Sequence, residues 1–593
     1  MVEEKLANYV KKDYPEKIYV HTDKPYYSIG DDIWFSIYFL NGASHLKSKK
    51  SLVLYTELIN HKDSILDRKK FFMIDFTANG DFKLNKNIKP GKYLLRAYTN
   101  YMLNDDHSYI FKKEIEVLDS NPKIDEIKKS DDSFTIKPEI NFYPEGGYLV
   151  DNVKNNVAIK FKNDFFSEQK IPVEIKDESG NLVTSFTSTK FGLGVFNLTP
   201  EENKTYFAFI NFNDDEYKYR LPKSLPEGYV LNVVNNGKNL FLNIKTNKKN
   251  GLLGTHLVIH QRGNLIFNHE QKHAKLNETL MLPIKSLQNG VLHITLFNSD
   301  GKPSCERLVY VNNPKINATI NIKKPKDYYG KRAKVTLNIN TKDFNGAYIP
   351  SRLSMSVRDM NAFPIQENSE NIKTWFLLNS DLRGKVKNPR YFFEDPNDIK
   401  RNYLLDLTML TNGWRRFTWQ KLLFETKGKN RFQTESGLMI SGKTLSMKPP
   451  YGSKSVPTRL TFVGKQIAQE PIKRSNKNGV FSYGPYIFYD TIPVLLESRL
   501  TNFKSEKNKD RKVLIIKNNE TKSPKIFRDT IPSKSNNSAL NAFIKHQKYL
   551  KEIDSIFKQQ QYVLDEVVVK TNLKTEDDLR RDEIKEAQKK YNI

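Results

Sequence analysis

The chain is 593 residues long, room for about four domains of ordinary size, and its 38% hydrophobic and 28% charged content suits packed globular units and excludes a disordered chain. A net charge of +28, from 96 basic and 68 acidic residues, raises nucleic-acid or anionic-lipid binding, but the lysines are scattered over the whole length and their densest runs, 47–50 and 504–512, fall in expected loops, so a solvated basic surface is the preferred reading. The single cysteine, Cys305, excludes an intramolecular disulfide and any multi-cysteine metal site, and no apolar run approaches the roughly 20 residues of a membrane-spanning helix.

With 30 Tyr and 36 Phe among its residues, the composition leans toward β structure. Residues 1–16 read as a short helix stopped by Pro15; their N-terminal end lacks the apolar core of a signal peptide. Over 17–119, short strands at 33–40, 52–59, 71–76, 91–98 and 115–118 are separated by turn signals such as NGD at 79–81 and KPG at 89–91, which predicts a β-sandwich. A polar stretch leads to a second sandwich at 133–222, with a strand at 156–162 and a Gly180-Asn181 turn, and a third at 225–313, with strands at 240–244, 256–260 and 290–297. A fourth, 314–430, opens with strands at 316–322, 333–339 and 353–358, then changes to apolar residues at helical spacing, which predicts a helical insert at 365–427. A fifth covers 433–517. The remainder, 518–593, reads as a polar linker, a helix, a lone strand at 562–570 and a charged helix. The expected fold class is therefore mainly β: tandem immunoglobulin- or fibronectin-like sandwiches with a small helical insert and a helical C-terminal tail.

Several patterns match chemistry by spacing and fail on context. HEQKH at 269–273 fits the zincin pattern, with His269 and His273 as ligands and Glu270 as base. It lies between two expected strands, and on extended chain the two imidazoles stand ~13 Å apart. His256 and His260, also four apart, fall in an alternating strand. Gly437 to Thr444 has P-loop spacing, but its interior reads as a strand with no helix after it. FGLGVF at 191–196 lacks the third glycine of a dinucleotide site and suits a bulge or tight turn. The acid pairs Asp31/Asp32 and Asp105/Asp106 read as solvated turns. In PEGG at 144–147, Glu145 is expected to cap the turn or to pair with a neighbouring domain. NGWRRFTW at 412–419 offers a stacking surface for a partner; the alternative, that Trp414 and Trp419 anchor the helical segment and the arginines lock a domain interface, is preferred. No catalytic residue, metal or cofactor is expected, and the chain reads as a non-enzyme.

Six stretches carry a family resemblance: EKIYVHTDKPYYSIGDDIWF at 16–35, LLRAYTNYM at 94–102, FYPEGG at 142–147, LNSDLRG at 378–384, LTMLTNGWRRF at 407–417 and LDEVVV at 564–569. The first resembles the second macroglobulin-type domain of α2-macroglobulin-like proteins. Together, in this order, they are similar to large exported proteins of the Bacteroidetes that join such domains to a TonB-dependent receptor plug. The resemblance implies macroglobulin-type sandwiches, a carboxypeptidase-regulatory-like fifth domain, and residence in the periplasm or at the outer membrane and cell surface, with the signal peptide removed. It implies no catalytic residues. Two departures count. The thioester sequence of the protease traps is absent, Cys305 standing instead in PSCER. The LDEVVV strand, which leads into the plug in such relatives, is followed here by a charged helix and no plug or barrel.

The expected function is an interaction or structural protein associated with an outer-membrane β-barrel or TonB-dependent transporter complex, membrane-associated through that partner and without specific nucleic acid. Its candidate docking residues are Asp565, Glu566, Val567, Val568 and Val569, a lone strand suited to joining another sheet, with Trp414, Arg415 and Arg416. The alternatives are a macroglobulin-like protease-interacting protein, with an exposed loop at 518–538, and a carbohydrate-binding sandwich.

Overall fold

The computed structural model describes residues 1–119, 136–330, 332–363, 369–384, 386–395, 397–414, 416–425, 430–447, 449, 451–463, 467–487, 492–499, 503, 513–517, 523–528, 537–560 and 582. The chain is mainly β. In the first sandwich, strand Asp32–Asn41 points Ile33, Phe35, Ile37 and Phe39 inward and alternates them with more exposed residues, the period of two that a half-buried strand requires. It pairs antiparallel with Glu16–Thr22 on one side and Thr77–Lys83 on the other. The facing sheet holds five strands, Tyr26–Ser28, Phe111–Leu118, Gly91–Tyr98, Val53–Ile59 and Ile65–Phe72 in spatial order. The expected turn at 79–81 is instead the middle of Thr77–Lys83. Gly80 explains the difference: a Cβ there would collide with the Phe71 ring, so glycine lets Phe71 and Phe35 close over the strand.

The second sandwich pairs Leu193–Leu198, Asn155–Phe161 and Ile140–Pro144 in one sheet against Leu182–Thr187, Pro172–Asp177, Tyr206–Phe212 and Asp215–Arg220 in the other. Phe191 and Gly192 both take positive φ, 67° and 66°, and form the tight turn that FGLGVF suggested. The third sandwich packs Tyr229–Asn235, Asn239–Thr246 and Asn277–Pro283 against Asn264–Glu270, His256–Gln261, Gly290–Phe297 and Pro303–Val311. Strand Gly290–Phe297 is buried at every position. One face meets the sandwich core, and aromatic residues of the helical segment cover the other, as in a sheet with two covered faces.

The fourth unit departs from expectation. Among the described residues of 314–363, Thr319–Lys323 and Asn338–Lys342 form one two-stranded antiparallel ribbon and no facing sheet. The stretch expected as a strand at 353–358 is not paired in a sheet. Its polar side chains are spent on the first sandwich: Ser354 Oγ lies 2.7 Å from His21 Nδ1 and accepts from the Tyr38 hydroxyl at 2.8 Å, Ser356 Oγ donates to the Asp23 carbonyl, and just before the stretch Arg352 pairs with Asp75.

Helices then occur where helical spacing predicted them, at Ile372–Leu377, Tyr391–Glu394, Ile399–Thr411 and Trp419–Phe424. A reciprocal Asn371–Thr374 capping box starts the first, and Asp398 caps the third by accepting from the amides of Lys400 and Arg401. Their apolar faces pack on Phe191 and Leu193 of the second sandwich and on Val291, Leu308 and Tyr310 of the third. The N-terminal helix Val2–Lys11 lays Leu6 against Phe297, Trp419 and Leu423, which closes the same junction. The fifth unit has two sheets, Leu438–Ser446 with Gly452–Ser453, Val480–Tyr486 and Val513–Lys517, and Pro457–Val463 with Ile467–Gln469, Lys473–Arg474 and Val494–Ser498. Helix Asn537–Gln560 returns to the first sandwich and seats Phe543 against Tyr26 and Phe363. The expected lone strand at 562–570 lies outside the described residues, as does the charged helix beyond it, apart from residue 582.

Candidate functional site

The buried charges of this chain concentrate where its units meet. Strand Ile140–Pro144 ends in the turn at 144–147, where Gly146 and Gly147 take φ of 89° and 115°. Side chains other than glycine rarely adopt such values, and they let the turn press onto the third sandwich, where the Gly146 carbonyl accepts from the Glu306 amide at 3.1 Å. Glu145 is thereby carried into the interface. It accepts from Asn156 Nδ2 at 2.8 Å, Asn232 Nδ2 at 2.9 Å, the Val233 amide at 3.0 Å and Arg307 Nε at 2.8 Å. Arg307 reaches on to Asp406 of helix Ile399–Thr411 at 2.7 Å. Burial opposes the Arg307 charge, but Asp406 and Glu145 outweigh it and hold the guanidinium above its ordinary pKa. Of the two expectations for Glu145, the structure shows the pairing with a neighbouring domain.

A second junction joins the first sandwich to the helical segment. Lys17 Nζ lies 2.7 Å from Asp381 Oδ1, both side chains being 1% exposed. Arg416 Nε approaches the same oxygen at 3.3 Å. Lys17 also sits 3.1 Å from His45 Nε2 and donates to the Phe376 carbonyl at 3.3 Å. Burial pulls the Lys17 ammonium down to about 7, with Asp381 opposing and Arg416 and Arg262 adding to the fall. Desolvation pushes the Asp381 carboxyl up, but Lys17 and Arg416 together outweigh it and hold it below the usual carboxylate range. Trp375, from the same helical segment, donates from Nε1 to the Ile18 carbonyl at 2.6 Å.

A third site uses Arg96, buried in strand Gly91–Tyr98. Its Nε donates to Glu57 at 2.5 Å, and its terminal nitrogens donate to the carbonyls of Pro524 at 2.9 Å and Lys525 at 3.2 Å. Part of the expected exposed loop at 518–538 is therefore strapped to the first sandwich; the rest of that loop, apart from 523–528 and the start of the helix at 537, lies outside the described residues.

The residues singled out in the sequence fall as follows. Trp414 is buried against His260, His293 and Phe417, and Arg416 is buried beside Asp381 with its guanidinium 4.9 Å from the Tyr109 ring centroid. Both hold the chain's own units together, so neither side chain is free as a docking surface; Arg415 lies outside the described residues. Trp419 fills the same junction, donating from Nε1 to Thr295 Oγ1 at 2.8 Å. Asp565, Glu566, Val567, Val568 and Val569 lie outside the described residues. His269 and Glu270 occupy the end of strand Asn264–Glu270, where His269 faces Glu278 at 3.3 Å. His256 opposes Glu270 across the hairpin, while His260 is buried among aromatic rings and held well below its ordinary pKa by desolvation and by His293. Among the described residues, no group of three His, Cys, Asp or Glu is placed to hold a metal ion. Gly437 to Thr444 runs into strand Leu438–Ser446, so its amides serve a sheet and not a phosphate. Cys305 is buried, its thiol pushed up to about 12 by desolvation. No described helix is long and apolar enough to cross a membrane.

No protein-family model and no curated protein matches the chain. Among solved structures, it is similar to Escherichia coli α2-macroglobulin activated by porcine elastase, at 10% identity and a TM-score of 0.20 over 82% of this chain and 42% of that one. A Salmonella α2-macroglobulin mutant aligns at 9% identity and a TM-score of 0.16, covering 82% of this chain and 38% of the other. Dimeric latent PorU from Porphyromonas gingivalis aligns at 11% identity and a TM-score of 0.23, covering 51% of this chain and 34% of that one. The chain thus spans about two fifths of the length of the α2-macroglobulins. At TM-scores this low the likeness adds nothing to the assignment, and the sandwich architecture rests on the paired sheets themselves.

Proposed function

We propose that this chain is a non-enzymatic, extracytoplasmic interaction and structural protein, in which a rigid frame of macroglobulin-type sandwiches presents a docking ribbon to an outer-membrane TonB-dependent transporter or surface assembly. One observation carries the reading. The ribbon of Thr319–Lys323 and Asn338–Lys342 leaves its apolar face open, with Ile320 and Ile322 each 58% exposed and Ile339 across from Ile322. Val335, Leu337 and Tyr348 nearby are exposed as well. An apolar patch of this kind on a protein surface marks a contact site, and strand Thr319–Lys323, which among the described residues pairs only with Asn338–Lys342, has an outer edge that suits an added strand.

The test is co-purification of the full chain with a TonB-dependent transporter from outer-membrane extract. The wild-type chain is expected to retain the transporter, and the double variant Ile320→Asp/Ile322→Asp to lose it with an unchanged melting temperature. Equal recovery by both proteins, or recovery by neither, would overturn the proposal.

A protease-responsive reading has one observation in its favour. Residues 523–528 form a strap on the first sandwich, held by Arg96 and by an Arg528–Asp63 pair at 2.8 Å. Cleavage in 518–538 would separate helix Asn537–Gln560 from the fifth unit. Limited proteolysis followed by small-angle scattering checks this: an unchanged scattering profile after complete cleavage removes the reading.

A further inference from the structure

The first and third sandwiches do not close completely over one another. A cleft of about 290 Å³ remains between them, walled by His45 of the first, Arg262, Gln288 and Asn289 of the third, Asn317 of the connecting segment and Lys373 of helix Ile372–Leu377. No carboxylate lines it. Arg262 is 6% exposed; its Nε donates to the Ala43 carbonyl at 3.2 Å and its Nη1 to the Asn289 carbonyl at 3.1 Å. Among the described residues neither Arg262 nor Lys373 forms an ion pair, and the nearby Asp381 is already engaged by Lys17 and Arg416. A buried guanidinium bonded only to neutral carbonyls is short of negative charge, and its planar fork suits an oxyanion.

Burial and, at His45, nearby cations act on the surrounding groups. His45 is held well below its ordinary pKa, first by desolvation and then by Lys17, Arg262 and Arg416, so it faces the cleft as a neutral imidazole. Desolvation also lowers the Lys373 ammonium at the rim. The amide side chains of Gln288, Asn289 and Asn317 can orient their NH2 groups to whatever the cations hold, although Asn289 Nδ2 is now 2.9 Å from Asn317 Oδ1 and would have to exchange that partner.

We infer that this cleft binds a small anionic molecule, with its carboxylate or phosphate oxygens held between Arg262 and Lys373. The volume is close to the lower end of small-molecule sites. Because the wall draws on two sandwiches, a connecting segment and a helix, an occupant would tie them together and stiffen the junction that Lys17 and Asp381 anchor. The inference is independent of the ribbon and of what docks there.

Titration calorimetry on the full chain tests it, with inorganic phosphate and citrate as probes at ionic strength held constant with KCl. Saturable one-to-one binding of either probe is expected. Phosphate alone would assign a phosphate-bearing ligand, and citrate alone a polycarboxylate. Loss of one charge-assisted contact should weaken binding about tenfold or more in Lys373→Ala. Arg262→Lys, which keeps the charge and loses the fork, should also weaken it, and Lys49→Ala, outside the cleft, should not. The inference is overturned if neither probe binds saturably, or if Lys373→Ala binds as tightly as wild type; the exposed position of Lys373 keeps that variant folded.

Discussion

Replacing Glu145 by alanine should open the interface between the second and third sandwiches without unfolding either core. The carboxylate is 3% exposed and takes four hydrogen bonds, one from within its own sandwich and three from the next. Removing one member of a buried ion pair costs about 3–5 kcal/mol, because the other is left uncompensated. Here Arg307 keeps Asp406 at 2.7 Å, so the cost belongs at the lower end, about 3 kcal/mol, or somewhat more than a hundredfold in the opening equilibrium. Hydrogen exchange at the Val233 amide reads this directly, since that N–H donates to Glu145 Oε1 at 3.0 Å. Its protection should fall about a hundredfold, while amides in the core of strand Asn155–Phe161 keep theirs. Glu145→Gln retains an acceptor for Val233 and loses the charge, so it should fall between wild type and Glu145→Ala. A loss below about 1 kcal/mol at Val233 would refute the reading of this turn as a bolt between domains.

Trp419→Ala should cost about 3–5 kcal/mol in urea unfolding, since the ring is 1% exposed and its Nε1 also satisfies Thr295; a cost under about 1 kcal/mol would contradict the packing. Lys17 gives a pH dependence. With its folded pKa near 7 against an ordinary 10.5, the folded state binds fewer protons than the unfolded state between those values. Its contribution to stability therefore grows as pH rises from about 7 toward 10. Lys17→Met should flatten that rise in a series of urea midpoints, and identical slopes for the two proteins would refute it. Cys305, 2% exposed and with its thiol pushed up to about 12, should resist iodoacetamide in the native chain and react fully in denaturant; rapid native labelling, read by mass spectrometry, would count against its burial.

What could be read in the sequence was set by local pattern. The alternation over Asp32–Asn41 and the helical spacing over Ile399–Thr411 follow from one face being buried, and both elements form where expected. The stretches at 269–273 and 437–444 each lie in or beside a strand, the context their neighbours indicated. Two kinds of feature were not legible. Turn residues mislead when a third element needs space, as Gly80 does beneath Phe71. The partner of a long-range charge leaves no local trace: Glu145 is expected to pair with a neighbouring domain or to cap its turn, but nothing beside it names Arg307, 162 residues away, and nothing beside Lys17 names Asp381. The fourth unit shows the limit from the other side. Ile320, Ile322, Val335 and Leu337 alternate as sandwich strands do, yet they stay exposed because no facing sheet is present among the described residues.

The placement of the buried charges bears on how the units are held to one another. Within each sandwich the core is apolar, and such cores tolerate many packings of similar energy. Between sandwiches, apolar contact alone would permit neighbouring units to slide. A buried polar pair disfavours that, because an arrangement that buries one partner without the other costs about 3–5 kcal/mol when the group left behind is charged. Glu145 with Arg307 and Asp406 fixes the second unit, the third and helix Ile399–Thr411 at one point. Lys17 with Asp381 and Arg416 fixes the first unit to the helical segment at another. Arg96 with Glu57 and the carbonyls of Pro524 and Lys525 fixes the strap that leads toward helix Asn537–Gln560. The helical segment is common to the first two points, so through it three sandwiches hold one relative orientation.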